Sequence, residues 1–149
     1  MSLTRRAFLS VGLTAALTSV AVLSRALLKQ NASARAINEY TAGAEVKDGL
    51  VTLTTPKIAE NGFSVPVSIL VESPMTEDNY VESVGLFSEG NPVPMIANFH
   101  FSPMNAEASV STRIRLAKNQ NLIAIARLNN GDLYRASNYI EVTIGGCGA

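Results

Sequence analysis

Tryptophan is absent from this 149-residue chain, and histidine and cysteine occur once each, as His100 and Cys147. Each scarcity removes a class of chemistry. Blue-copper sites combine two histidines with a cysteine, and structural zinc takes four ligands drawn mainly from Cys and His. One residue of each excludes both centres, so no metal and no other cofactor is expected. Met75, Met95 and Met104 do not restore a copper site and read as core filler or partner surface. A lone cysteine also excludes an autonomous dithiol oxidoreductase, which needs a resolving thiol. A thiol hydrolase built on Cys147 needs a base within hydrogen-bond reach. His100 is the only imidazole, and its place between Phe99 and Phe101 reads as a structural position in a packed strand.

Charge is also scarce, at 16% of residues with a formal net charge of +0. Its distribution is uneven. Arg5, Arg6, Arg25 and Lys29 all precede residue 35 and every acidic residue follows it, so the remainder holds 8 basic against 12 acidic side chains, a net charge of −4. Such a domain lacks the clustered cations that phosphate backbones require, and no nucleic-acid partner is expected. Arg113, Arg115 and Lys118 form the one basic cluster and read as a solvated strand face.

One apolar stretch falls short of spanning a bilayer. Val11 to Leu23 holds thirteen residues, against the roughly 20 that a spanning helix needs. Preceded by Thr4-Arg5-Arg6-Ala7-Phe8-Leu9, it has the basic and short apolar regions of an export signal and resembles the twin-arginine type, with Arg5 and Arg6 as the paired arginines. Ala32-Ser33-Ala34 supplies small residues for cleavage, with Ser24-Arg25-Ala26 as a second candidate. The expected organisation is a signal peptide over 1–34, a β-sandwich with a short N-terminal helix or arm over 35–144, and a carrier tail over 145–149. The expected location is the periplasm, with no membrane attachment once the signal is removed.

From Leu50 the pattern becomes short β-rich runs between turn residues. Val65, Val67, Ile69 and Val71 alternate with Pro66, Ser68 and Leu70, and the proline suggests an edge position or a bulge. Val81 to Phe87 reads as a strand, and Pro92 to Pro103 as an irregular crossover with a short strand near Asn98 to Phe101. Ala108 to Leu116 has the clearest period of two. Leu122 to Leu128 is uniformly apolar, as in a central strand covered on both faces. Asn129-Asn130-Gly131-Asp132 marks a hairpin turn, and Asn138 to Ile144 is a last strand running into Gly145. About seven strands of this kind indicate an all-β, immunoglobulin-like antiparallel sandwich.

The sequence closes on Gly145-Gly146-Cys147-Gly148-Ala149. Glycine loses the most conformational freedom on ordering, so this stretch is expected to form a mobile, narrow arm carrying one exposed thiol. On that view, valine at 146 and 148 would obstruct entry of the arm into a cleft at little cost in stability.

This tail resembles the Gly-Gly-Cys-Gly-Gly arm of the SoxY family, the cysteine-bearing subunit of the SoxYZ carrier of bacterial thiosulfate oxidation, with Ala149 in place of the last glycine. The resemblance extends through Val65-Pro66-Val67, Val71-Glu72-Ser73-Pro74-Met75-Thr76, Gly90-Asn91-Pro92, Phe99-His100-Phe101 and Val110 to Lys118. It implies a swinging arm of Gly145, Gly146, Gly148 and Ala149, covalent attachment of sulfur intermediates at Cys147, and no catalysis by the chain itself. It further implies a heterodimer with a SoxZ-like subunit and visits to a haem enzyme, a sulfate-releasing hydrolase and, in some organisms, a sulfane dehydrogenase. Two readings stand beside it: an exported immunoglobulin-like interaction module whose tail cysteine forms an intermolecular disulfide, and a thiol enzyme using Cys147 as nucleophile.

Overall fold

The computed structural model describes residues 32–146. Arg5 and Arg6 of the expected signal, and Cys147, Gly148 and Ala149 of the expected arm, lie outside the described residues. Among the described residues one helix, α1 (Ala32–Thr41), is followed by nine strands: β1 (Val46–Asp48), β2 (Val51–Thr54), β3 (Ile58–Asn61), β4 (Val65–Val71), β5 (Val81–Ser88), β6 (Met95–His100), β7 (Ala108–Ile114), β8 (Gln120–Leu128) and β9 (Leu133–Ile144). They form an immunoglobulin-like sandwich. The larger sheet runs β1-β9-β8-β5-β6, with β3 also pairing with β9, and the smaller runs β2-β4-β7.

The alternation in β4 is the clearest link from sequence to packing. Side chains along a strand point to opposite faces in turn, and Val65, Val67, Ile69 and Val71 are buried while Pro66, Ser68 and Leu70 are exposed. Across the antiparallel ladder these buried residues face Ile114, Thr112, Val110 and Ala108 of β7. On the outer face the Ser68 and Ser111 hydroxyls meet at 2.9 Å. β4 is the middle strand of its sheet, and Pro66 is tolerated because β2 pairs only from Ser68 to Val71, leaving that side of β4 without a partner at the proline.

β8 is the centre of the larger sheet, between β5 and β9, and both of its faces are covered. Leu122, Ala124 and Ala126 enter the main core with Val84 and Leu86 of β5 and Ile140 of β9. Ile125, with Phe87 and Leu133, packs on the other face against Ala36, Ile37 and Tyr40 of α1. A 10-residue helix is marginal alone, so α1 depends on this seat. Tyr40 anchors it: its ring stands edge-on to Phe87 at 5.4 Å, its hydroxyl meets Ser83 Oγ at 2.9 Å, and Arg127 lies over it at 5.2 Å while donating to the Tyr40 carbonyl. The helix begins at Ala32, three residues before the boundary expected at residue 35, and ends where Gly43, at φ +75°, donates its N–H to the Asn38 carbonyl at 3.1 Å.

Several strand expectations need correction. The segment after β5 is not a crossover: β6 folds straight back to pair antiparallel with β5 as an edge strand. His100, at its end, is exposed rather than packed, and its Nε2 meets Asn98 Nδ2 at 3.1 Å. β9 begins at Leu133, because the turn at Gly131 (φ +89°) returns the chain directly against β8. The strands beyond seven include two of three and four residues, β1 and β3, which pair parallel with β9. Lys47 of β1 is tied to Asp132 of the β8–β9 turn at 3.0 Å; this hydrogen-bonded pair raises the Lys47 pKa and lowers that of Asp132. Of the methionines, Met75 is core, whereas Met104 is almost wholly exposed.

Phe87→Ala is expected to lower the unfolding free energy by about 3–5 kcal/mol, measured by urea denaturation. It should release α1 while the main core, which does not include Phe87, keeps its far-ultraviolet β signal. A variant as stable as the parent would mean that the helix contributes nothing to the sheet it covers.

Candidate functional site

The described part of the C-terminal segment ends on a tight backbone junction. Gly62, in the β3–β4 turn, donates its N–H to the Ile144 carbonyl at 2.7 Å and accepts from the Leu116 N–H at 2.8 Å. Gly146 in turn donates its N–H to the Leu116 carbonyl at 2.8 Å. Three chain segments, the β3–β4 turn, the stretch after β7 and the end of β9, are thereby joined at one point.

Only glycine fits there. A Cβ on Gly146 would fall on the Gly62 carbonyl and within 2.5 Å of the Phe63 nitrogen. One on Gly62 would strike the Leu116 carbonyl and come within 2.8 Å of both the Gly146 nitrogen and the Ile144 oxygen. One on Gly145 would strike the Ala117 carbonyl. Gly146 is buried and Gly145 half-buried. The expectation that the arm is free from Gly145 onward is therefore corrected: Gly145 and Gly146 are the root of the arm, held by the sandwich, and their lack of side chains serves close approach of backbones.

The segment that receives the root is itself fixed by amides. Asn91 donates from Nδ2 to the Arg115 carbonyl at 2.8 Å and accepts at Oδ1 from the Ala117 N–H at 3.0 Å. Buried Gln120 reaches Asn91 Oδ1 at 3.1 Å and the Lys118 carbonyl at 2.9 Å through Nε2, and accepts the Gly90 N–H at 2.8 Å. This network gives the Arg115 and Lys118 carbonyls and the Ala117 N–H side-chain amide partners, as buried polar groups require. Gly62, Asn91, Leu116 and Gln120 were not identified as site residues from the sequence. The Gly-Asn-Pro and Arg-Ile-Arg-Leu-Ala-Lys stretches were visible there, but nothing in one chain links Asn91 to Leu116.

The other expected site residues separate cleanly. Arg113 donates to the Ser64 carbonyl and hydroxyl at 3.3 Å, and Arg115 and Lys118 are exposed on either side of Leu116 and Ala117. His100 sits on the outer edge strand β6, a different element from any that holds the root. A hollow of about 280 Å³ on the larger sheet is lined by Asp48, Glu89, Asn121, Ile123, Arg135 and Ser137, and its cation is already paired, Arg135 with Asp48 at 3.0 Å. Among the described residues no group of three or more His, Cys, Asp or Glu side chains is placed to hold a metal.

Gly146→Val is expected to lower the unfolding free energy by about 1–3 kcal/mol, because overpacking against backbone forces the junction apart. Chemical denaturation checks this. Unchanged stability would return the root to the status of a free terminus.

The chain matches the family described as sulfur oxidation protein SoxY over residues 37–147. No curated protein sequence matches it significantly. Among solved structures it is similar to the sulfur carrier protein SoxY from Chlorobium limicola f thiosulfatophilum, at 30% identity and a TM-score of 0.63, covering 76% of this chain and 98% of that one. It shares its fold with superoxide reductases: that of Ignicoccus hospitalis at 24% identity and a TM-score of 0.57, covering 63% of this chain and 80% of that one, and that of Nanoarchaeum equitans at 16% and 0.54, covering 64% and 99%. At those identities the second likeness is one of architecture alone. A match that runs through the sandwich and the glycine root as far as the cysteine establishes that the chain belongs to the SoxY family of sulfur oxidation proteins.

Proposed function

We propose that this protein is a covalent carrier of thiosulfate-derived sulfur, with Cys147 as the attachment point and Gly145-Gly146 as the fixed root from which it is presented. The observation that carries the reading is the position of the only cysteine, one residue beyond a buried, hydrogen-bonded glycine at the end of β9, in a chain of the SoxY family. The chain holds no second cysteine to pair with it.

The chemistry needs other enzymes. Joining the thiol to the sulfane sulfur of thiosulfate forms an S–S bond and releases a proton and two electrons, which a haem enzyme accepts. Water then cleaves the terminal sulfonate as sulfate in a hydrolase, leaving a persulfide whose outer sulfur a dehydrogenase oxidises in some organisms. The thiolate is the nucleophile in such a step, and those enzymes supply its activation. A SoxZ-like subunit completes a heterodimer, and the twin-arginine route, which exports folded proteins, delivers it to the periplasm. The protein itself turns nothing over. The interaction-module reading keeps the same thiol and differs in what it bonds to.

Cys147→Ser is expected to abolish sulfur loading while leaving partner binding and thermal unfolding unchanged. Intact mass after incubation with thiosulfate and the haem enzyme checks this: the parent should gain a thiosulfonate and the variant nothing. A parent that gains only a disulfide to a second protein would establish the interaction module instead.

A further inference from the structure

We propose that the surface around the arm root, formed by Phe63, Ile144, Arg115 and Lys118, is where the enzymes that process Cys147 dock, and that it fits an active-site mouth that is acidic with an apolar margin. This rests on the carrier reading above. The first ground is reach. Gly146 is buried with its N–H bonded to Leu116, and covalent geometry keeps the next Cα about 3.8 Å away. While the root stays seated, an enzyme cannot engage the thiol at a distance from the domain; it must press against the surface from which the arm emerges.

The second ground is the character of that surface. Phe63, whose backbone nitrogen borders Gly146, is 49% exposed, and Ile144, two residues before it, is 61% exposed. Two large exposed apolar side chains thus stand on the segments that meet at Gly146. The stretch that grips the root is flanked by Arg115 and Lys118, both exposed. Elsewhere Lys47 pairs with Asp132, Arg135 with Asp48, and Arg127 donates to the Tyr40 carbonyl, while Arg35 and Lys57 are exposed singly, far apart in sequence from the cations of the root. Among the described residues Arg115 and Lys118 have no carboxylate partner, on a domain whose net charge is −4. Carboxylates on the elements that meet here, Glu60 and Glu141, stand two residues before Gly62 and five before Gly146. A positive spot beside the arm of an acidic carrier steers an acidic mouth onto the root, and rim charges of this kind act mainly on association.

The test is steady-state release of sulfate from the loaded carrier, in its native complex, by the sulfate-releasing hydrolase, as a function of salt. Arg115→Glu with Lys118→Glu should lower kcat/KM about tenfold, leave kcat within about twofold, and flatten the salt dependence. Lys47→Glu with Arg135→Glu makes the same change of net charge at the opposite end of β9 and should leave kcat/KM unchanged. Arg115→Gln with Lys118→Gln answers the same question if the reversed pair does not fold. Parent-like kcat/KM in the root variant, or equal losses in both pairs, would overturn the proposal. So would a loss confined to kcat with the salt dependence intact, which would place the cations on the adduct's own oxyanion instead of on the enzyme. A parent protein that takes up no sulfur at all removes the carrier reading itself, and this surface with it.

Discussion

Everything near the cysteine depends on one backbone contact: Gly62 and Gly146 approach so closely that neither has room for a Cβ, with the Leu116 amide and carbonyl bridging them. Each backbone hydrogen bond contributes only about 0.5–1.5 kcal/mol net. The contact matters less for its own strength than for what it joins. It closes the end of β9 onto the β3–β4 turn and the β7–β8 connection, so the last described residues are part of the sandwich rather than appended to it.

The rest of the fold serves that junction by fixing its three components. β4 and β7 share a ladder of seven residue pairs whose inner positions are buried on β4 and buried or half-buried on β7, which sets where the segment after β7 emerges. β8, covered by the core on one face and by α1 on the other, holds β9 along eight register positions. Asn91 and Gln120 then secure residues 115–118 through backbone groups on both sides of Leu116. At Gly62, Gly145 and Gly146 the absence of a side chain is what lets these three segments meet backbone to backbone.

Much of this was legible in the sequence. The alternation in β4 and β7, the uniformly apolar β8 and the turn at Gly131 each follow from one local pattern and appear where expected. What local pattern does not encode is contact between distant segments. The Asn61-Gly62 turn gave no sign that its glycine admits another backbone, and Gly145 and Gly146 read as flexible because composition alone cannot tell a glycine that is free from one that is packed. His100 misled for a related reason: flanking phenylalanines suggested a packed strand, but β6 is an edge and the imidazole falls on its outer side. β1 and β3 are too short to carry a period and exist because β9 offers an unpaired edge.

The most direct test of a seated root is amide hydrogen exchange of the native protein, resolved at Gly146 by NMR. Bonding of its N–H to the Leu116 carbonyl predicts that this amide exchanges at least about tenfold more slowly than an unstructured glycine, as expected wherever exchange requires local opening, and that protection falls in Gly62→Ala. Exchange at the unstructured rate in the native protein would contradict the account and make the arm free from the end of β9.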